Sequence, residues 1–228
     1  LGSGRQDILI GGGEGDDLNG LAHNDVILGD HGRVNRSSAI AIDSILSTET
    51  SNGGVDSIRG DAGDDLIIGG FAGDDIWGNS GADIILGDNG QVQLSGTVGN
   101  VFVQGNAVAL IRTTDSSEAT GGADTIEGNS ENDIVFGGVN GSSDVIDGNA
   151  GDDILIGDNG ELDFDDGDTD LTTLDAIRSY TDGHGGSDII SGNDGNDVVI
   201  GGTGADQLHG DESVAAVTGG NDIILGDN

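Results

Sequence analysis

The chain has 228 residues and a formal charge of −37, so a phosphate backbone or an anionic membrane surface is disfavoured as a partner and bound cations must relieve the self-repulsion of folding. With 46 Gly, few aromatic residues and no Pro, Cys or Met, it lacks the bulky side chains and the disulfide staples of an ordinary small core. No apolar run approaches the roughly 20 residues of a membrane-spanning helix.

In chain order, Asp7, Asp16 and Asp25 stand nine residues apart, each followed two positions later by an aliphatic residue: Leu9, Leu18 and Ile27. The stretch before each Asp is rich in Gly and Asn, which turn tightly and tolerate positive φ, and the stretch after it is β-branched. Each unit therefore reads as a turn followed by a short strand. This first block, residues 1–31, closes on Gly29-Asp30-His31-Gly32, and an insertion, 32–52, follows with an apolar run from Ala39 to Ile45. The second block, 53–90, carries Asp56, Asp65, Asp74 and Asp83 with Ile58, Ile67, Ile76 and Ile85, and closes on Gly87-Asp88-Asn89-Gly90. Its insertion, 91–120, holds an apolar run from Val101 to Ile111, including Phe102. The third block, 121–160, carries Asp124 and Asp133, then, after two extra residues, Asp144 and Asp153, and closes at Asp158. Its core positions are Ile126, Val135, Ile146 and Leu155, and the insertion 161–184 supplies Leu162, Phe164, Leu171, Leu174, Ile177 and Tyr180. The fourth block, 185–228, carries Asp188, Asp197 and Asp206, then Asp222 after an insertion around Val214 to Thr218, and a closing Asp227. Because the chain starts and stops inside a repeat, it is expected to be one continuous segment of a longer repeat protein.

Strand side chains alternate, so the residues flanking each core aliphatic must point outward. In every second unit they are apolar: Ile8 and Ile10, Val26 and Leu28, Leu66 and Ile68, Ile84 and Leu86, Ile134 and Phe136, Ile154 and Ile156, Val198 and Ile200, Ile223 and Leu225. The units between are polar, as at Asp17 and Asn19, Ser57 and Arg59, Asp75 and Trp77, Thr125 and Glu127, Gln207 and His209. One sheet can face water and the other needs a cover. The insertions, with their own apolar runs, are the economical cover; self-association through this outer sheet, as in a filament, is the alternative.

The best-formed unit, Gly201-Gly202-Thr203-Gly204-Ala205-Asp206-Gln207-Leu208-His209, has close variants at 60–68, 78–86, 148–156 and 192–200. It resembles the GGxGxDxUx nonapeptide of the RTX, or hemolysin-type, calcium-binding repeats. The resemblance implies an all-β chain: a right-handed parallel β-roll, a solenoid with two nonapeptides per coil, here with lateral insertions. It also implies several bound Ca2+ ions, each shared by aspartates one coil apart and by the turn carbonyls between them. Ca2+ takes six to eight oxygens of this kind, and a Gly-rich turn leaves its carbonyls unobstructed. Carried onto this chain, the implied pairs are Asp7 with Asp25, Asp56 with Asp74, Asp65 with Asp83, Asp124 with Asp144, Asp133 with Asp153, Asp188 with Asp206, and Asp197 with Asp222, with Asp16 as a further ligand. Asp30, Asp88, Asp158 and Asp227 stand where a turn Gly is expected and are read as added ligands, the alternative being a simple strand stop. Weaker or absent ions are expected where the fourth-position Gly is replaced, at Arg5, Glu14, His23, Ala72, Glu131 and Ser142. A metal-free solenoid of Asx turns would leave the stacked carboxylates uncompensated.

No catalytic constellation emerges. His23, His31, His184 and His209 are scattered without a zinc-binding motif, and the Gly-rich strings lack the βαβ context of a nucleotide site. A regular ladder of carboxylates also lacks the unequal pair that glycoside hydrolysis requires. The chain is therefore expected not to be an enzyme. It reads as a calcium-binding structural or adhesive repeat segment of a secreted, extracellular or cell-surface protein, a stalk, coat or filament that folds on binding Ca2+. The alternative is the secretion and folding region of a secreted enzyme or toxin.

Overall fold

The structure is a computed structural model and describes residues 1–37, 41–95, 102–103, 105–139, 143–165, 173–180, 183–211 and 219–226. Among the described residues every regular element is a β-strand. The turns reverse the chain by placing two residues in the left-handed region. The second turn position does so at Asn79, Asn129, Asn149 and Asn193, and the fourth at Gly63 and Gly81. A positive φ is also kept at His23, Ala72 and Glu131, where the fourth-position Gly is replaced, so these substitutions strain the turn, whereas Arg5 and Glu14 at the same position do not adopt it.

Two parallel sheets form the roll. In stacking order, Ile8–Ile10, Val26–Leu28, Leu66–Gly70, Ile84–Asp88, Ile134–Phe136, Ile154–Ile156, Val198–Ile200 and Ile223–Leu225 make the apolar sheet. Asp17–Ala22, Ser57–Ala62, Asp75–Ser80, Thr125–Ser130, Val145–Ala150, Ile189–Asp194 and Gln207–His209 make the polar sheet. Ile8 pairs with Val26 two nonapeptides later, whereas Val26 pairs with Leu66 across the whole first insertion. Coil follows coil as if the insertions were not there. Between the sheets runs a column of buried aliphatics: Leu18, Ile27, Ile58, Ile67, Ile76, Ile85, Ile126, Val135, Ile146, Leu155, Ile190 and Val199. Leu9 and Leu208 are partly buried near the ends, and Ile224, expected in the same column, is 45% exposed on the last strand.

The insertions build a third, antiparallel sheet. Gly32–Arg36 and Ile42–Ser47 form one hairpin, Gly90–Leu94 and Asn106–Thr113 a second, Gly160–Asp163 and Ala176–Ser179 a third. Neighbouring hairpins then zip together, Val92 opposite Ile45 and Ile111 opposite Leu162. One row of this cap sheet, Val34, Ile45, Val92, Ile111, Leu162 and Ile177, packs into a single core with Val26, Leu28, Leu66, Ile68, Ile84, Leu86, Phe136 and Ile156 of the apolar sheet. The adjacent row, facing the other way, is Arg33, Leu46, Gln91, Arg112, Glu161 and Arg178. Of the two covers expected for the apolar sheet, the insertions supply one along its middle. Ile10, Ile223 and Leu225 at its ends are 46%, 57% and 52% exposed. Ala39, Ile40, Val101, Leu171 and the stretch Val214 to Thr218 lie outside the described residues.

The polar sheet departs from expectation at Val145 and Ile189, which are 40% and 38% exposed on its open face. Across that face runs a row of Asn19, Arg59, Trp77, Glu127, Asp147, Ser191 and His209. The Arg59 guanidinium sits 4.6 Å over the Trp77 ring.

Phe136 is fully buried between the apolar sheet and the cap. Phe136→Ala is expected to cost about 3–5 kcal/mol, read as a lowered urea midpoint in calcium buffer. Val145→Thr, on the open face, should stay within about 0.5 kcal/mol.

Candidate metal centre

The repeated aspartates enter their strands at the end of each turn, and their carboxylates form two ladders. Along one edge the backbone N–H of Asp7 donates to Oδ1 of Asp25, and the same bond links Asp25 to Asp65, Asp65 to Asp83, Asp83 to Asp133, Asp133 to Asp153, Asp153 to Asp197 and Asp197 to Asp222. Along the other edge it links Asp16 to Asp56, Asp56 to Asp74, Asp74 to Asp124, Asp124 to Asp144, Asp144 to Asp188 and Asp188 to Asp206. The N···O distances run from 2.6 Å at Asp7 to 3.1 Å at Asp197. Every pair implied by the resemblance is brought together. The structure adds the pairs that bridge insertions, which counting along the chain had treated as breaks.

Oδ1 is thus committed to the neighbouring coil, while Oδ2 is not. In Asp25, Asp56, Asp65, Asp74, Asp83, Asp124, Asp133, Asp153, Asp188 and Asp197 it is buried with no hydrogen-bond partner. Each such oxygen faces the space that a turn Gly leaves open. A Cβ on Gly157 would lie 2.5 Å from both Asp188 Oδ2 and the Gly201 carbonyl oxygen, and one on Gly20 would lie 2.5 Å from Asp25 Oδ2 and 2.7 Å from the Gly60 carbonyl. Among the described residues no three His, Cys, Asp or Glu side chains converge on one point. The donor set is therefore one bare carboxylate oxygen with backbone carbonyls, all hard oxygens, and it suits Ca2+ rather than a metal that prefers nitrogen or sulfur ligands.

The block-ending aspartates do something different. Asp30, Asp88 and Asp158 occupy the second turn position, where the chain departs into an insertion. Their Oδ1 atoms accept from the N–H of Gly54, Gly122 and Gly186, the residues at which the chain returns, at 3.0, 3.1 and 2.9 Å. Each carboxylate thereby closes the neck of an excursion; they are neither ladder members nor mere strand stops. Asp227 lies outside the described residues. Sequence reasoning missed Asp115, a buried carboxylate of the second insertion. It accepts from Asn89 Nδ2 at 3.0 Å and Thr120 Oγ1 at 2.9 Å, while its backbone carbonyl accepts from Asn159 Nδ2 at 3.1 Å. The only available signal was the Asn that follows Asp88 and Asp158. The histidines take no part in the ladders: His23 contacts its neighbour's carbonyl, and His31 and His184 lie near Glu49 and Glu118.

A model of the RTX calcium-binding nonapeptide repeat matches residues 1–33, 50–85, 67–94, 113–140, 139–161 and 182–213, well over half of the chain. The chain belongs to the RTX calcium-binding repeat family. A search of curated proteins returns no match. The RTX matches omit most of each cap hairpin, so the family pattern describes the roll and the cap is laid over it. RTX nonapeptides bind calcium, and the buried Asp rows fit that pattern.

Burial dominates the electrostatics of this RTX roll. Desolvation, reinforced by neighbouring aspartates and opposed by the backbone hydrogen bond, raises the carboxyls of Asp56, Asp65 and Asp153 to about 7, Asp133 to about 8, and Asp74 and Asp83 to about 9. Folded-state values above the unfolded value of 3.8 mean that, without metal, the native state holds the extra protons. Its stability is then greatest below about pH 4 and is lost as pH rises through 7 to 9. In chelator, far-ultraviolet circular dichroism should accordingly show β structure near pH 4 and its loss on raising the pH; with calcium the order reverses, because protons compete with the ion. At pH 7.5 in chelator, Asp74→Asn should be more stable than the parent, since it keeps an acceptor for the Asp56 N–H and removes the cost of protonating, on folding, a carboxyl that is ionised in the unfolded chain. Asp74→Ala should be less stable than Asp74→Asn by about 1–3 kcal/mol, the penalty of an orphaned buried N–H.

Proposed function

We propose that this segment is a calcium-hardened structural element of a secreted or cell-surface protein, loose at low calcium and rigid at extracellular calcium. The observation that carries this reading is the pair of unbroken ladders, in which ten aspartates from Asp25 to Asp197 each leave a buried carboxylate oxygen that folding alone does not satisfy. Ion binding then supplies folding free energy, coil by coil, as in other quasi-one-dimensional repeats. The cap sheet supports a structural role over a simple secretion tail, because it shields the apolar sheet and stiffens the roll across block boundaries. Its outward row of Arg, Gln and Glu offers the surface of a stalk, coat or filament. We assign it no catalysis, since the ladder carboxylates serve as repeated amide acceptors along the stack. Family membership equally fits the folding region of a secreted enzyme or toxin.

Circular dichroism of the segment at pH 7.5, with metal analysis of the folded form, tests the calcium step. Disorder in chelator, converted to β structure with a midpoint of about 0.1–1 mM calcium, is the expected result. An unchanged β spectrum in chelator overturns it. Electron microscopy of the calcium-loaded full-length protein tests the structural role: extended rods or arrays support it, and a globular enzyme with this roll as its tail refutes it.

A further inference from the structure

We propose that a pocket in the cap, where the second and third hairpins return to the roll, binds a neutral saccharide. The cavity, of about 420 Å3, is lined by Arg112, Thr113, Thr114, Asp115 and Tyr180. None of these is a ladder residue, and the inference does not rest on the calcium reading. Strand pairing brings the two return strands close, since Asn106–Thr113 pairs with Gly160–Asp163, which pairs in turn with Ala176–Ser179. Both are pinned in the same way. The Thr114 N–H donates to the Asn89 carbonyl and the Tyr180 N–H to the Asn159 carbonyl, each at 2.9 Å.

The side chains are held in place before any ligand arrives. Asp115 is 9% exposed; its Oδ2 accepts from the Asn89 N–H at 3.2 Å and from Asn89 Nδ2 at 3.0 Å. Its Oδ1 accepts from Thr120 Oγ1 at 2.9 Å, which leaves room for a further donor. Arg112 spends Nε and Nη2 on Gln91 Oε1, at 3.2 and 2.7 Å, and its Nη1 has no hydrogen-bond partner among the described residues. The Tyr180 hydroxyl donates to Glu161 Oε2 at 2.9 Å, and burial together with the Glu161 carboxylate pushes it up to about 12. It therefore stays a phenol with a lone pair to offer. Thr114 is exposed, and its hydroxyl is likewise unpartnered among the described residues. Donors and acceptors thus alternate around the cavity, beside one aromatic ring.

A sugar ring matches that set, because each hydroxyl both donates and accepts and the ring also presents an apolar face. The volume falls in the ordinary range of small-molecule sites. Charge selects the class of sugar. The Arg112 guanidinium opposes a bare cation, while Asp115 and the net charge of −37 oppose a polyanion.

Saturation-transfer difference NMR of the calcium-loaded chain, followed by titration, tests the site. The probes are glucose, galactose, mannose, N-acetylglucosamine, maltose, cellobiose and lactose, with glucuronate as the acidic arm. The expected result is binding of at least one neutral sugar, weakened about tenfold or more by Arg112→Gln, as loss of a charge-assisted hydrogen bond implies. Thr114→Val should weaken it by a smaller factor. Arg33→Gln, an exposed Arg on the first hairpin, should leave it unchanged. Binding of no neutral sugar, tighter binding of glucuronate, or equal loss in Arg33→Gln overturns the assignment. Should Arg112→Gln change the circular dichroism spectrum, Thr114→Val decides, and unaltered sugar binding in that variant refutes the site. Metal analysis counts the ladder ions separately, so failure here is distinguishable from failure of the calcium reading.

Discussion

The fold depends on one divided carboxylate. In each ladder aspartate from Asp25 onward, Oδ1 holds the amide of the neighbouring coil, which fixes the stacking, while Oδ2 is buried without a partner in the ten residues from Asp25 to Asp197 named above. The first half of that arrangement is a structural hydrogen bond that any solenoid could use. The second half is a debt of desolvation, repeated from Asp25 to Asp197, that only a proton or a cation can settle. The Gly-rich turns follow from it, because a side chain there would fill the space that the bare oxygen faces. The thin aliphatic core follows too, since a roll whose sheets are one Ile apart has no room for Trp or Phe between them.

The molecule neutralises its acid in two ways. In the cap, Arg178 contacts Glu161 at 2.9 Å and Asp163 at 3.5 Å, and Tyr180 donates to the other oxygen of Glu161. Arg33, Arg36, Arg112 and Arg178 all lie in cap strands. Around the buried ladder aspartates Asp56, Asp65, Asp74 and Asp83 the neighbouring charges are other aspartates. The cap therefore carries its counter-charges within the sequence, whereas the roll takes them from solution. The two layers should answer differently to calcium, although they share one apolar core.

Much of this was legible in the sequence, because period-nine Asp and the aliphatic two residues later are local signals. So were the two unlike faces, since side chains alternate strictly along a strand, and apolar runs such as Val101 to Ile111 pointed to a cover. What escaped was non-local. The Asp74 to Asp124 and Asp153 to Asp197 bonds cross insertions, and chain distance hides them. The hydrogen bond to Oδ1 has no compositional signature, because a ligand and an amide acceptor are both simply Asp. The clamp of Asn89 and Asn159 on Asp115 joins residues from two blocks and an insertion, with no repeat to announce it. Val145 and Ile189 broke the polar pattern because their face is open and no packing neighbour dictates their identity.

The hairpins have a consequence for how such a chain can be lengthened. A block of four nonapeptides lays down two strands in the apolar sheet, and its insertion lays down two strands in the cap. Strands in either kind of sheet are spaced by about 4.7–4.9 Å. The two layers are therefore commensurate and advance by the same step, so no mismatch accumulates from one block to the next. The block, rather than the nonapeptide, is the unit cell of the double-layered solid, and its length is fixed by counting strands on both sides. Adding or removing a single coil would leave the cap one strand out of phase with the surface it covers.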